Sequence, residues 1–339
     1  MLIFVIDLKP LAAMRYVALP DDDSRRLPFY LAMEEYVARA VAAPDDLFFM
    51  WQVEPTVIFG RNQIIDNEVD CDYCRRNGIN VYRRKSGGGC VYADMDNIMF
   101  SYITPSDSPV ATIFSSYTSM VASMLRSLGL DASASSRNDV MIGGRKVSGN
   151  AFYHTPTHSI VHGTMLFDTD MERMASAITP SKSKLSSKGV ASVDSRITTI
   201  RRHLDMGIEE FKQYVRDYLC DGELRLTEAD VEAIKVIEKP YYDDAWIYHR
   251  KAAGHRRALK RIEGVGEFQV DLTLGSDGTI RDLDLTGDFF LLGDMGSLIV
   301  DRLRGVRHDP AAVAEALESC SVGNVIYGLT DKQLIELLF

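Results

Sequence analysis

The chain has 339 residues, 46% of them hydrophobic and 25% charged, which suits a soluble protein with one large domain and one smaller one. Its net charge of −10 argues against a protein whose main business is nucleic-acid binding, because that needs a broad basic face. Five cysteines (Cys71, Cys74, Cys90, Cys220 and Cys320) at irregular spacing suit a reducing compartment better than a disulfide framework.

The opening MLIFVIDLKP is apolar but short, lacks a basic n-region and is broken by Asp7. It therefore reads as a first strand rather than a signal peptide; no membrane span is expected, and the expected location is the cytoplasm. Arg15 to Leu19 fits a second strand. LPFYLAMEEYVARAV is a helix, with Pro28 at its start and apolar side chains at three- and four-residue steps. Leu31 and Glu34 lie one turn apart on it, which places Glu34 at the solvent edge. Phe48 to Val53 and Thr56 to Phe59 read as two buried strands around a turn at Glu54 and Pro55. Trp51 suits either the core or one wall of an apolar tunnel. A helix from about Asn67 to Asn77 carries Cys71 and Cys74 as ordinary helical thiols, since a lone CxxC with no second pair is weak evidence for zinc.

The strand INVYRR then runs into RRKSGGGCVYAD. Gly87, Gly88 and Gly89 carry no Cβ, so the backbone can take positive φ and turn its N–H groups toward an anion, with Arg83 and Arg84 supplying charge. A plain hairpin turn needs one or two glycines, not three behind a cationic run. Asn97 to Ile103 leads out, so the loop joins two strands at a sheet edge, and the phosphate-loop pattern GxxxxGK[ST] is absent. A helix from about Thr112 to Leu128 stops at Gly129.

NDVMIGGRKVSGNAFYHTPTHSIVHGTMLF reads as three antiparallel strands, Asp139 to Ile142, Arg145 to His154 and Ser159 to Phe167, with Gly143 and Gly144 as a two-residue turn. Alternation puts Lys146, Ser148 and Asn150 on one face, and His162 and Thr164 can point into the same space. TPSKSKLSSKGVASVDSR is either a solvated connection or a loop that folds over a nucleotide. Helices follow at Ile208 to Cys220 and Glu228 to Glu238. After the joint KPYYDDAW come two strands around an Asp-Gly turn and two closing helices. The basic run His249, Arg250, Lys251, Arg256, Arg257, Lys260 and Arg261 is a solvated helix face or a dock for an acidic acceptor domain.

RRKSGGGCVYADMDN, NDVMIGGRKVSGNAFY, HGTMLF and SKGVASVDSR, in this order and spacing, resemble the lipoate-protein ligase A family, which shares its fold with biotin protein ligases. The resemblance implies an α+β fold of mixed, largely antiparallel sheets packed with helices: a catalytic domain over 1–244 and a small α/β accessory domain over 245–339. It implies ATP-dependent conversion of lipoate to lipoyl-AMP with release of pyrophosphate. The acyl group would then pass to a lysine of apo lipoyl-domain acceptors, such as 2-oxoacid dehydrogenase E2 subunits and the glycine cleavage H protein. ATP, Mg²⁺ and lipoate or octanoate are the small molecules expected.

By the same resemblance Lys146 is the catalytic cation. Leu31, Trp51, Arg84, Ser86, Gly87, Gly88, Gly89, Ser148 and His162 border the lipoyl adenylate. Asn138, Asp139, Lys146, Gly189, Val190, Ala191, Ser192 and Arg196 serve the nucleotide, with Asp139 as a metal ligand. The chain departs from the family at Tyr30, Ala93, Asp96 and Thr199, where Asn, His, Gly and Asn are common. Ala93 removes a polar group beside the glycine loop. Other readings are a transferase of the same fold using Cys90 as thioester carrier, a biotin ligase, whose usual Gly-Arg-Gly-Arg loop is missing, and a non-catalytic binding protein.

Overall fold

The computed structural model describes residues 14–41, 45–106, 108–135, 138–178, 196–248 and 256–339. The opening strand, Gly189 to Ser192 and His249 to Lys251 lie outside the described residues. The fold is α+β. Its strands are β1 (Met14–Ala18), β2 (Asp46–Trp51), β3 (Thr56–Phe59), β4 (Asn80–Arg83), β5 (Val91–Ala93), β6 (Asn97–Pro105), β7 (Ala132–Ala134), β8 (Asp139–Ile142), β9 (Arg145–His154), β10 (His158–Leu166) and β11 (Gly222–Arg225). Eight of them form one sheet in the order β11-β1-β2-β6-β10-β9-β8-β7, while β4-β3-β5 form a second.

Period-two alternation makes the large sheet two-sided. On β2, Leu47, Phe49 and Trp51 enter one apolar core and Phe48 the other. Helix α1 (Leu27–Ala40) and the small sheet cover the first face. Two short helices, α2 (Ile65–Glu68) and α3 (Cys71–Arg76), feed β4. Helix α4 (Val110–Ser127) and the helix Ile208–Leu219 cover the second face.

Three readings of the sequence need correction. The basic stretch from Arg256 to Arg261 lies on a strand, Arg256–Ile262, rather than on a helix face. The helix from Asn67 to Asn77 is two helices. Val69 leaves to bridge Ile178, and Asp70 caps α3 by accepting the Tyr73 N–H at 2.7 Å. Glu34 is fully buried under α1 rather than at its solvent edge.

The remaining strands, β12 (Arg256–Ile262), β13 (Gly266–Leu274) and β14 (Ile280–Gly287), form an antiparallel meander whose Asp277-Gly278 turn uses a φ of +78° at Gly278. The helices Pro310–Leu317 and Asp331–Leu338 pack on it around a third core. The preceding joint is fixed to the larger part of the chain. Tyr241 donates to Glu35 at 2.5 Å, and Arg83 donates to the carbonyls of Trp246 at 3.0 Å and Ile247 at 3.1 Å. No helix among the described residues is long and apolar enough to cross a membrane.

Candidate active site

Strands β6, β10 and β9 lie side by side under α1, and a narrow pocket of about 90 Å³ opens where they meet the loop between β4 and β5. Leu31, Trp51, Ile58 and Met99 give it an apolar wall. Arg84, Gly88, Gly89, Asn138, Lys146, Asn150 and His162 give it a polar one. Cys90 and Thr164 line it as well.

Lys146 is held by backbone on both sides. Its N–H donates to the Arg196 carbonyl at 2.9 Å, and its carbonyl accepts the Thr198 N–H at 2.8 Å. The register of β8 against β9 slips between Val140 and Met141, so Val147 is an extra residue on β9 and the expected alternation breaks: Lys146 lies on the side of Gly149 and not on the face of Ser148 and Asn150. Its Nζ lies 2.7 Å from Asp139 Oδ1 and folds back over Gly149. A Cβ at Gly149 would stand 2.4 Å from that Nζ, so the missing side chain is the space the amine occupies. Asn138 and Asn150 clasp one another: each amide donates to the other's carbonyl, at 2.8 and 3.0 Å.

The glycine loop crosses over the end of β3, linking the two outer strands of the small sheet rather than two neighbours. Its three glycines have different reasons. Gly88 alone has a left-handed φ, +86°. At Gly87 a Cβ would lie 2.4 Å from the Phe289 carbonyl oxygen, and at Gly89 it would meet nothing within 4 Å. The Gly88 N–H donates to that same carbonyl at 3.1 Å, so in this arrangement it is not turned to a ligand.

The two arginines are buried and do not reach outward as the sequence suggested. Arg83 donates to the carbonyls of Arg61 and Gln63, both at 2.8 Å, and to the joint. Arg84 gives Nε–H to Ser86 and its terminal nitrogens to the carbonyls of Ile58, Gly87 and Gly89, so it folds the loop around itself. Burial pulls its guanidinium down to about 10. The hydroxyl and carbonyls it bonds to are neutral, and the cation still lines the pocket.

Beneath the pocket runs a polar chain with no counterpart in the sequence reading. Ser86 Oγ lies 2.7 Å from His162 Nε2, and His162 Nδ1 lies 2.8 Å from Glu34 Oε2. Ser101 donates to Glu34 Oε1 at 2.6 Å and accepts from the Trp51 indole at 2.9 Å. Glu34 and Ser101 were missed because a helical carboxylate and a strand serine look solvated in sequence. Strand pairing puts Ser101 directly opposite His162, and that register was the only available clue.

Of the residues assigned from sequence, Leu31, Trp51, Arg84, Gly88, Gly89, Asn138, Lys146 and His162 come together on the pocket wall. Ser86, Gly87 and Ser148 do not line it; Ser148 is bonded to the Asn150 amide at 3.2 Å. Asp139 reaches the site through Lys146, and Arg196 through its carbonyl. Gly189, Val190, Ala191 and Ser192 lie outside the described residues. Ala93 is fully buried in the first core and pairs with Thr56, so its place is in the packing rather than on the pocket wall. Cys71 and Cys74 are helical thiols as expected, and burial pushes Cys74 up to about 11.

The family model for the lipoyl protein ligase A/B catalytic domain matches residues 27–220, and that for the bacterial lipoate protein ligase C-terminus matches residues 255–338. The chain is 34% identical over 319 residues to the lipoate-protein ligase LplJ of Bacillus subtilis, covering 91% of this chain and 96% of that one. Among solved structures it is similar to the bi-partite lipoate protein ligase of Thermoplasma acidophilum, described together with its E2 lipoyl domain. That likeness has 27% identity and a TM-score of 0.61, over 71% of this chain and 99% of that one. P. falciparum LipL1 in complex with lipoate shares the fold, with a TM-score of 0.73 and 17% identity over 96% of this chain and 97% of that one.

Proposed function

The chain belongs to the lipoate-protein ligase family, and from that premise we propose that it joins lipoate to acceptor proteins in two ATP-dependent steps. In the first, a carboxylate oxygen of lipoate attacks the α-phosphorus of ATP, a P–O bond to pyrophosphate breaks, and lipoyl-AMP remains. In the second, the neutral amine of an acceptor lysine attacks the acyl carbonyl, forms an amide and releases AMP. The one observation that carries this reading is a single pocket with the Lys146 amine on one wall and the Arg84-centred glycine loop on another.

Both steps gather negative charge on oxygen, which fixed cations and N–H donors stabilise without a nucleophilic side chain. Lys146 would bridge the lipoate carboxylate and the α-phosphate. Arg84, buried among neutral partners, gains most from an anion in the pocket. Leu31, Trp51, Ile58 and Met99 would hold the acyl chain. Asn138 and residues from Gly189 to Arg196 would serve the adenosine side. Among the described residues no three His, Cys, Asp or Glu side chains group as a metal cage. Magnesium commonly takes one or two protein carboxylates plus phosphate oxygens, and Asp139 fits that role. We assign residues 1–244 to the catalytic domain and 245–339 to the accessory domain. The E2 lipoyl domain described with the Thermoplasma ligase supports lipoyl domains as the acceptors.

The test is to incubate the protein with lipoate and ATP, measure pyrophosphate, and add an apo lipoyl domain. Lipoate-dependent pyrophosphate followed by acylation of the domain is expected. Acylation from an acyl-carrier thioester with no pyrophosphate would replace this reading with the Cys90 transferase.

A further inference from the structure

Two hydrogen-bond chains end on the same buried carboxylate. From the apolar wall, the Trp51 indole donates to Ser101 Oγ at 2.9 Å, and the Ser101 hydroxyl donates to Glu34 Oε1 at 2.6 Å. From the glycine loop, Arg84 Nε–H donates to Ser86 Oγ at 2.9 Å, and Ser86 lies 2.7 Å from His162 Nε2. His162 Nδ1 closes the second chain, 2.8 Å from Glu34 Oε2 and 3.0 Å from Oε1. Glu34, Ser86 and Ser101 have no solvent exposure, and Trp51, His162 and Arg84 are at 5% or less.

With Glu34 as a carboxylate and His162 as a neutral imidazole, donor counting places the protons of the chain. Indole and guanidinium only donate, and a carboxylate only accepts. Ser101 accepts from Trp51, so its own proton goes to Glu34. His162 then donates through Nδ1 and accepts at Nε2. The Ser86 hydroxyl, already accepting from Arg84, supplies that proton. All the donors therefore point toward one group, and that group lies on α1, a turn after the pocket residue Leu31. Glu34 itself does not line the pocket, so whatever it does there it does through its partners.

We propose that Glu34 is a positioning residue that holds the Trp51 wall and the glycine-rich loop in register across the pocket. The proposal rests on the acyl-activating role given above. One carboxylate thus ties the surface that meets the acyl chain to the glycine loop that lines the same pocket. Glu34→Gln keeps the shape but puts an NH₂ donor against either the Ser101 hydroxyl or His162 Nδ1–H. Relief on the histidine side requires the other tautomer, whose Nε2–H then faces Ser86 and leaves the serine proton without its acceptor. Ser101→Ala breaks only the Trp51 arm.

The test combines three measurements on the full chain. ¹⁵N-histidine NMR without ligand reports the His162 tautomer, with the signal assigned through His162→Gln. Emission of Trp51 is read in a Trp246→Phe background. Steady-state pyrophosphate release gives KM separately for lipoate and for ATP. Glu34→Gln is expected to abolish the Nδ1-protonated pattern, shift Trp51 emission and raise KM for lipoate about tenfold or more, the scale of one lost hydrogen bond to a charged group. KM for ATP should move less than about threefold, since the lysine side of the pocket is untouched. Ser101→Ala should shift the emission and raise KM for lipoate while leaving the His162 signal in place, and it decides the question alone if Glu34→Gln does not fold.

An unchanged lipoate KM in folded Glu34→Gln overturns the proposal, as does an equal fall in every parameter. Wild-type protein that releases no pyrophosphate with lipoate overturns the ligase reading instead.

Discussion

Adding one methyl group at Gly149 tests the placement of Lys146 without touching its charge. A Cβ there would lie 2.4 Å from Lys146 Nζ and 2.6 Å from Cε. Ordinary contact begins near 3.4 Å, so the amine must retreat by at least about 1 Å. The lysine tip is flexible and Gly149 has no left-handed φ, so the backbone accepts alanine. The Lys146–Asp139 ion pair is partly exposed, and losing it costs about 1 kcal/mol or less of stability. Displacing a charge-stabilising group by about 1 Å costs on the order of 100-fold in rate, or about 2.7 kcal/mol of transition-state stabilisation. Gly149→Ala should therefore melt within a few degrees of wild type while lipoate-dependent pyrophosphate release falls about 100-fold. Release within about twofold of wild type in a folded variant would refute the reasoning, because the amine would then not act from the position over Gly149.

Cys90→Ala should keep pyrophosphate release and acceptor acylation near wild-type rates, since Cys90 lines the pocket but no thioester step is needed; loss of both activities would favour the transferase. Gly88→Ala combines a φ of +86° with a Cβ 2.7 Å from the Phe290 ring, so denaturant unfolding should show a loss of about 1–2 kcal/mol or more. Burial pushes the thiols of Cys74 and Cys220 up to about 11 and about 12, which leaves at most about one part in a thousand as thiolate at pH 8. Mass spectrometry after brief iodoacetamide treatment of the native protein should find both unmodified, and rapid alkylation of either would contradict that burial.

What the sequence reveals is local. Pro28 and three- and four-residue spacing place α1, alternation places β9 and β10, and Gly143-Gly144 places their hairpin with β8, because each signal arises within a few residues. What it hides depends on distant partners. An acid on an amphipathic helix looks solvated until Ser101 and His162 arrive on neighbouring strands beneath it. Arg83 and Arg84 look like ligand cations because their partners are backbone carbonyls, which carry no letter in a sequence. The reason for Gly87 sits some two hundred residues away, in the Phe289 carbonyl. Trp51, which the sequence allows as core or as tunnel wall, is both, 4% exposed yet lining the pocket.

The most direct measurement is the intact mass of an apo lipoyl domain after incubation with the protein and lipoate, with ATP present or omitted, alongside Lys146→Ala. Activation at a pocket with Lys146 on its wall predicts a lipoyl adduct only with ATP and the wild-type lysine, with pyrophosphate released in step. An adduct formed without ATP, or formed equally by folded Lys146→Ala, would contradict it.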